Sequence, residues 1–144
     1  YEIRSVIGET LVAKKHDALE KDGIKWTRAT ASKELSGENK FEFDFHGEDI
    51  LLFRFKDEIR AIQNSCTHMN LPLSAGILDE NGHILCPFHG SAYCTHDGTV
   101  QKWCEGLPED MPPENVQMMK SMKQVPLTTY MALDYEESIW VAKN

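Results

Sequence analysis

The chain has 144 residues, enough for one domain with an apolar core of its own. Hydrophobic residues make up 41% and charged residues 26%, and no apolar run approaches the ~20 residues that span a bilayer, so no membrane partner is expected. The formal charge of -8 repels phosphate backbones, which argues against nucleic acid and suits docking on a basic protein surface.

Residues 1–23 are predicted to form an N-terminal helical extension. Leu11, Val12, Ala18 and Leu19 recur at roughly helical spacing, and "KDG" supplies a stop with Gly23 beyond it. Tyr1 is not a methionine, so a cleaved tag, a removed leader and a lost upstream domain all stay open. From Ile24 the period changes. "FEFDF" alternates strictly and places Phe41, Phe43 and Phe45 on one strand face. "ILLFRF" and "IRAIQ" follow as strands separated by the tight turns "HGED" and "KDE". Beyond position 90, "SAYC" and "TVQKW" form a hairpin around "THDG", and the chain closes with "TTYMAL" and "IWVA" around "DYEES". Residues 24–144 are therefore expected to be an all-β antiparallel sandwich or small barrel.

Two stretches break that rhythm. Residues 64–91 read as long loops around a short "HILC" strand, within a site-bearing subdomain of about 64–94. Residues 104–126 read as an insertion, with a helix starting at the Pro112–Pro113–Glu114 step and carrying Val116, Met119 and possible continuation to Met122. Four cysteines are too few for a disulfide scaffold at this length, and no signal-like segment is visible, so a cytoplasmic location is expected.

The chemistry concentrates in two loops. The first carries "CTH", with Cys66 and His68; the second carries "CPFH", with Cys86 and His89. Zinc accepts two thiolates and two imidazoles, but its ligands usually come paired by type, and Cys-x-His is tight for both side chains to reach one ion. A binuclear centre removes the difficulty. If Cys66 and Cys86 hold one iron and His68 and His89 the other, each loop spans both metals, which is the ligation of a Rieske [2Fe–2S] centre. With both Cys/His pairs used as ligands, nothing remains for a nucleophilic triad.

On "CTHMNLPLSAG" (66–76) and "ILCPFHGSAYCTHDGTV" (84–100), with "WTRAT" upstream and "VPLTTYMAL" and "SIWV" downstream, the sequence resembles the Rieske iron–sulfur family over roughly residues 24–143. The resemblance implies a three-sheet antiparallel body and one [2Fe–2S] cluster at the tip of a two-loop subdomain. It implies histidine ligation through the inner ring nitrogen, with the outer nitrogen near solvent. Neutral imidazoles in place of two thiolates raise the potential. The disulfide that ties the two loops in respiratory members is absent, because Leu71 and Phe88 stand at its positions; they are expected to shield the cluster with Pro72. Ser91 and Tyr93 match the respiratory pair, and are expected to bond a bridging sulfide and the Cys66 thiolate. Gly76 and Gly90 match positions where the backbone turns closely. Cys94 and Cys104 are expected to be buried free thiols, and His16, His46, His83 and His96 surface residues. "VQMMKSM" reads as core cover, with a docking patch as the alternative.

The implied activity is electron carriage without substrate chemistry: a ferredoxin that takes one electron from a reductase and gives it to an oxygenase or another redox enzyme. The alternatives are a small subunit of a nitrite reductase, a fragment of a Rieske oxygenase, and a zinc-holding binding module.

Overall fold

The computed structural model describes residues 18–144. The predicted helix lies outside them, except at its end, and there the expectation is corrected. Ala18–Lys21 is a strand, β1, paired antiparallel with β2 (Ile24–Ala31) in a register that sets Lys21 opposite Ile24. Asp22 and Gly23 have φ of 56° and 78°. An Asp-Gly pair with both φ values positive is the two-residue turn that matches strand twist. "KDG" is thus a hairpin turn and not a helix stop. The two uses share the same residue, a glycine in the left-handed region, so composition alone does not separate them.

The remaining strands are β3 (Lys40–Phe45), β4 (Glu48–Phe55), β5 (Glu58–Gln63), β6 (Ile77–Leu78), β7 (His83–Leu85), β8 (Ala92–Cys94), β9 (Val100–Lys102), β10 (Thr129–Tyr135) and β11 (Ser138–Lys143). They form a seven-stranded sheet in the order β1-β2-β11-β10-β5-β4-β3 and a four-stranded sheet in the order β6-β7-β8-β9. The three sheets implied by the resemblance are hydrogen-bonded here as two. The reason is a short bridge, Thr129 to Ile62 and Tyr130 to Ala61, which joins β10 to β5.

The large sheet curls. Ile50, Leu52 and Ala61 from one half share a core with Ile139 and Val141 from the other, with Leu35 and Phe45 completing it. Phe41 and Phe43 pack on the same core, as their alternation requires. "ILLF" does not alternate because β4 is covered on both faces. Its even positions, Ile50 and Leu52, face that core, while Leu51 and Phe53 face a second one with Ile62, Leu73, Ile84 and Tyr93. This second core contains Cys66, Cys86 and Cys104, so the candidate site is continuous with the packing that joins the two sheets.

Two further hairpins turn without glycine. Lys56 and Asp57 sit at φ 48° and 67°, Glu136 and Glu137 at 50° and 65°. A side chain in the left-handed region costs about 1–2 kcal/mol. Glu137→Gly is therefore expected to raise stability by about 1 kcal/mol, read as a higher midpoint in urea at an unchanged slope.

Candidate metal centre

The two loops are built alike. In the first, the Cys66 N–H donates to the Leu71 carbonyl (2.7 Å) and the Asn70 N–H to the Cys66 carbonyl (2.7 Å). In the second, the Cys86 N–H donates to the Ser91 carbonyl (2.7 Å) and the Gly90 N–H to the Cys86 carbonyl (3.1 Å). Asn70 and Gly90 hold the same place in each turn, both at positive φ, 58° and 78°. Each turn thus begins on a cysteine and aims a histidine two or three residues later at the space between them. The first is pinned to the large sheet by Asn64, which is buried. Its Nδ2 donates to Glu42 Oε2 (2.8 Å) and Asp49 Oδ2 (3.1 Å), and its Oδ1 accepts the Leu73 N–H (3.1 Å).

The structure brings Cys66, His68, Cys86 and His89 together. The imidazoles of His68 and His89 lie edge to face with centroids 5.3 Å apart. The two buried thiols are close neighbours and are not joined as a disulfide. That contact lowers the Cys66 thiol strongly, helped by the Tyr93 hydroxyl and the His68 and Met69 N–H groups and opposed by burial. The same contact, with burial, raises its donor Cys86. Two neighbouring buried thiols are a natural arrangement for two thiolates on one metal.

The histidines carry the clearest signal. Among the described residues, the buried side-chain nitrogens and oxygens without a partner are His68 Nδ1, His89 Nδ1 and Trp103 Nε1. Buried polar atoms are rarely orphaned, and two inner imidazole nitrogens orphaned side by side call for an electrophile. The proton of His68 is fixed by its other nitrogen. Nε2 lies 3.1 Å from the Met119 carbonyl, which can only accept, so Nε2 carries the proton and Nδ1 presents its lone pair. No group of three His, Cys, Asp or Glu side chains among the described residues is arranged around one ion, as mononuclear zinc would need.

Tyr93 and Ser91 are both fully buried. Tyr93 Oη stands 3.1 Å from Cys66 Sγ and 3.0 Å from Thr67 Oγ1. Thr67 Oγ1 directs its own proton to the Val125 carbonyl (2.5 Å). With the Thr67 proton committed to Val125 and Cys66 a thiolate, the phenol proton is the one left for the contacts among these three atoms. Burial, and the bond to Cys66, hold that phenol above its ordinary range, so it stays a donor. Ser91 Oγ accepts the Cys104 N–H (3.1 Å), and its hydroxyl also lies against the Cys104 side chain, opposing the rise that burial gives that thiol.

Other expectations fare variously. Leu71 is half-buried, but Phe88 is 46% exposed and so faces water as much as it covers the loops. Gly76 is closely packed, its missing Cβ falling 2.9 Å from the carbonyls of Leu73 and Leu85. Cys104 is buried and Cys94 half-buried, both free. His46 and His96 are exposed and His83 half-buried, while His16 lies outside the described residues. Outer-nitrogen exposure fails for His68, which is only 3% exposed. Its cover is the 104–126 stretch, whose helix α1 (Pro113–Lys120) brings the Met119 carbonyl to it, with Cys104 Sγ 3.0 Å from Nε2 and the Trp103 ring 5.0 Å away. Trp103, Cys104, Met119, Thr67 and Asn64 were not singled out from sequence as parts of this site: the first three lie outside both loops, and Thr67 and Asn64, although within the first, act through side-chain contacts that no spacing announces.

An antiparallel β domain that carries two matched Cys/His turns above a buried core is the architecture of an iron–sulfur protein. The model of the Rieske [2Fe-2S] domain matches residues 25–126, and the chain belongs to that family. Among its relatives is the 3-phenylpropionate/cinnamic acid dioxygenase ferredoxin subunit of Photorhabdus laumondii subsp. laumondii, 36% identical over 50 residues, or 35% of this chain and 48% of that one. The chain thus aligns with about half the length of that ferredoxin. The 4beta-methylsterol monooxygenase of Methylococcus capsulatus is 45% identical over 47 residues, 32% of this chain and 12% of that one. In fold, the ferredoxin of carbazole 1,9a-dioxygenase from Nocardioides aromaticivorans IC177 superposes with a TM-score of 0.64 at 20% identity, covering 83% of this chain and 98% of that one. The terminal oxygenase of the same system gives 0.63 at 24% identity, covering 83% of this chain and 30% of that one. Among the described residues no helix is long and apolar enough to cross a membrane.

Proposed function

We propose that this chain is a one-electron carrier whose [2Fe–2S] cluster is held by Cys66 and Cys86 on one iron and by Nδ1 of His68 and His89 on the other. The observation that carries the reading is the pair of buried, unpartnered inner nitrogens in the loops that hold two buried free thiols. When bound, the cluster supplies a reversible one-electron couple. The protein supplies the rest. Cys66 and Cys86 bring two negative charges and His68 and His89 none. Tyr93 directs its hydroxyl proton towards the Cys66 sulfur. Leu51, Phe53, Leu73 and Ile84 keep water from beneath. The role is carriage from a reductase to an oxygenase or similar redox enzyme.

The test is iron and labile-sulfide analysis with an electron paramagnetic resonance spectrum of the reduced protein. A Rieske signal with matching iron and sulfide is expected; stoichiometric zinc without that signal would falsify the reading. A potential follows the same logic. Tyr93 donates to a sulfur that becomes more negative on reduction, so its bond favours the reduced state. Tyr93→Phe is expected to lower the potential by about 40 mV, taking about 1 kcal/mol of bond difference between the two states and 59 mV per tenfold for one electron. A redox titration checks it, and an unchanged or higher value counts against the bond.

A further inference from the structure

The two histidines are not equivalent. His68 is 3% exposed and its outer nitrogen is closed from two sides, by the Met119 carbonyl at 3.1 Å and the Cys104 thiol at 3.0 Å. The Trp103 ring stands edge-on to it at 5.0 Å. The segment that delivers these groups is itself fastened to the second loop, since the Gly106 N–H donates to the His89 carbonyl (3.0 Å). His89 is half-exposed, and among the described residues no protein group bonds its outer nitrogen. Beside it Pro87 is exposed and Phe88 is 46% exposed.

Resting on the ligand reading above, we propose that electrons enter and leave through His89 alone. The partner is a one-electron redox protein with a basic face, seated on the Pro87–Phe88–His89 surface, and the 103–119 segment seals the His68 side. Three considerations lead there. Electron transfer between proteins weakens steeply with distance, so a partner must reach an uncovered ligand edge. His68 is separated from any partner by Met119 and by Met118, which is 62% exposed on the outer side of α1. A formal charge of -8 makes a basic face the complementary one. The exposed phenyl ring of Phe88 gives that partner an apolar contact at the centre of its footprint.

The experiment compares two substitutions of equal charge on the two sides. Reduced, cluster-loaded protein is mixed with cytochrome c, a basic one-electron haem protein, in a stopped-flow instrument. Phe88→Lys is expected to slow the second-order rate by about tenfold, because it sets a charge against the basic face inside the contact. Met118→Lys adds the same charge outside the contact, and is expected to change the rate by about twofold or less. Both side chains are exposed, and an unchanged resonance spectrum certifies each variant. A second measurement needs no variant. Carbethoxylation of the loaded wild-type protein, mapped by peptide mass, is expected at His89 about ten times faster than at His68. Equal slowing by the two lysines, or equal labelling of the two histidines, overturns the proposal. A sample without cluster iron overturns the ligand reading, and this proposal with it, before any rate is measured.

Discussion

Cys66→Ala, Cys86→Ala, His68→Ala and His89→Ala are each expected to yield protein without the cluster, while Cys94→Ala keeps it. The argument is one of coordination in a closed space. On the proposed ligation each iron would have two protein ligands, and losing one would leave it a ligand short. Water does not readily replace the lost ligand, because Cys66 and Cys86 are fully buried and His68 nearly so. Metal binding is coupled to folding, since the loaded site satisfies groups that are otherwise costly. Without metal, two inner imidazole nitrogens stand without partners in the interior, and each such group costs about 1–3 kcal/mol. Loss of the cluster is therefore expected to lower the unfolding midpoint as well. Iron, labile sulfide and thermal unfolding, measured on all five variants, check both parts. A Cys66→Ala protein with full iron content and a wild-type spectrum would remove Cys66 from the ligand set. Cys94 is the matched control, because it is a half-buried thiol on the neighbouring strand β8 and touches neither loop's turn hydrogen bonds.

The ligand loops were legible because their signal is short-range. Cys66 with His68, and Cys86 with His89, each fall within four residues, and the structure brings the two pairs together; a pair of irons, as proposed, would account for the mixed pairs. Tyr93 was legible for the same reason, lying a fixed step beyond the second histidine, and its contact with Cys66 at 3.1 Å matches the expectation. The β rhythm was legible wherever one strand face is wet, as in "FEFDF". It failed at the start, where Asp22–Gly23 serves a hairpin although the same letters end helices. It was silent on the cover of His68. Cys104 lies 36 residues from it, and the Met119 contribution is a backbone carbonyl, which every residue carries. A helix start at Pro113–Glu114 could be read from composition; where that helix would be laid could not, because the placement depends on a meeting of Gly90 with Gly106 that no periodicity announces.

That meeting gives the second large effect. Gly90→Ala is expected to destabilise the protein by about 3 kcal/mol, lower its unfolding midpoint by about 10 °C and cost it cluster occupancy. Gly90 has φ of 78°, and a Cβ placed there falls 2.1 Å from the Gly106 nitrogen and 2.5 Å from its Cα. Both neighbours are backbone, so no rotamer change relieves the clash. The two loops must separate, which breaks the Gly106 N–H bond to the His89 carbonyl and shifts the ligand next to it. Two terms enter: the left-handed conformation costs about 1–2 kcal/mol, and overpacking about 1–3 kcal/mol. Gly23→Ala separates them. Gly23 has the same φ of 78°, but nothing lies within 4 Å of its Cβ position, so only the conformational term applies. It is expected to cost about 1 kcal/mol and leave the iron content unchanged. Equal losses for the two alanines would show that Gly90 matters for its backbone angle alone. A loss at Gly90 well beyond that at Gly23, together with missing iron, identifies the close crossing of loop two and the 104–106 strand of chain as the contact that sets His89 in place.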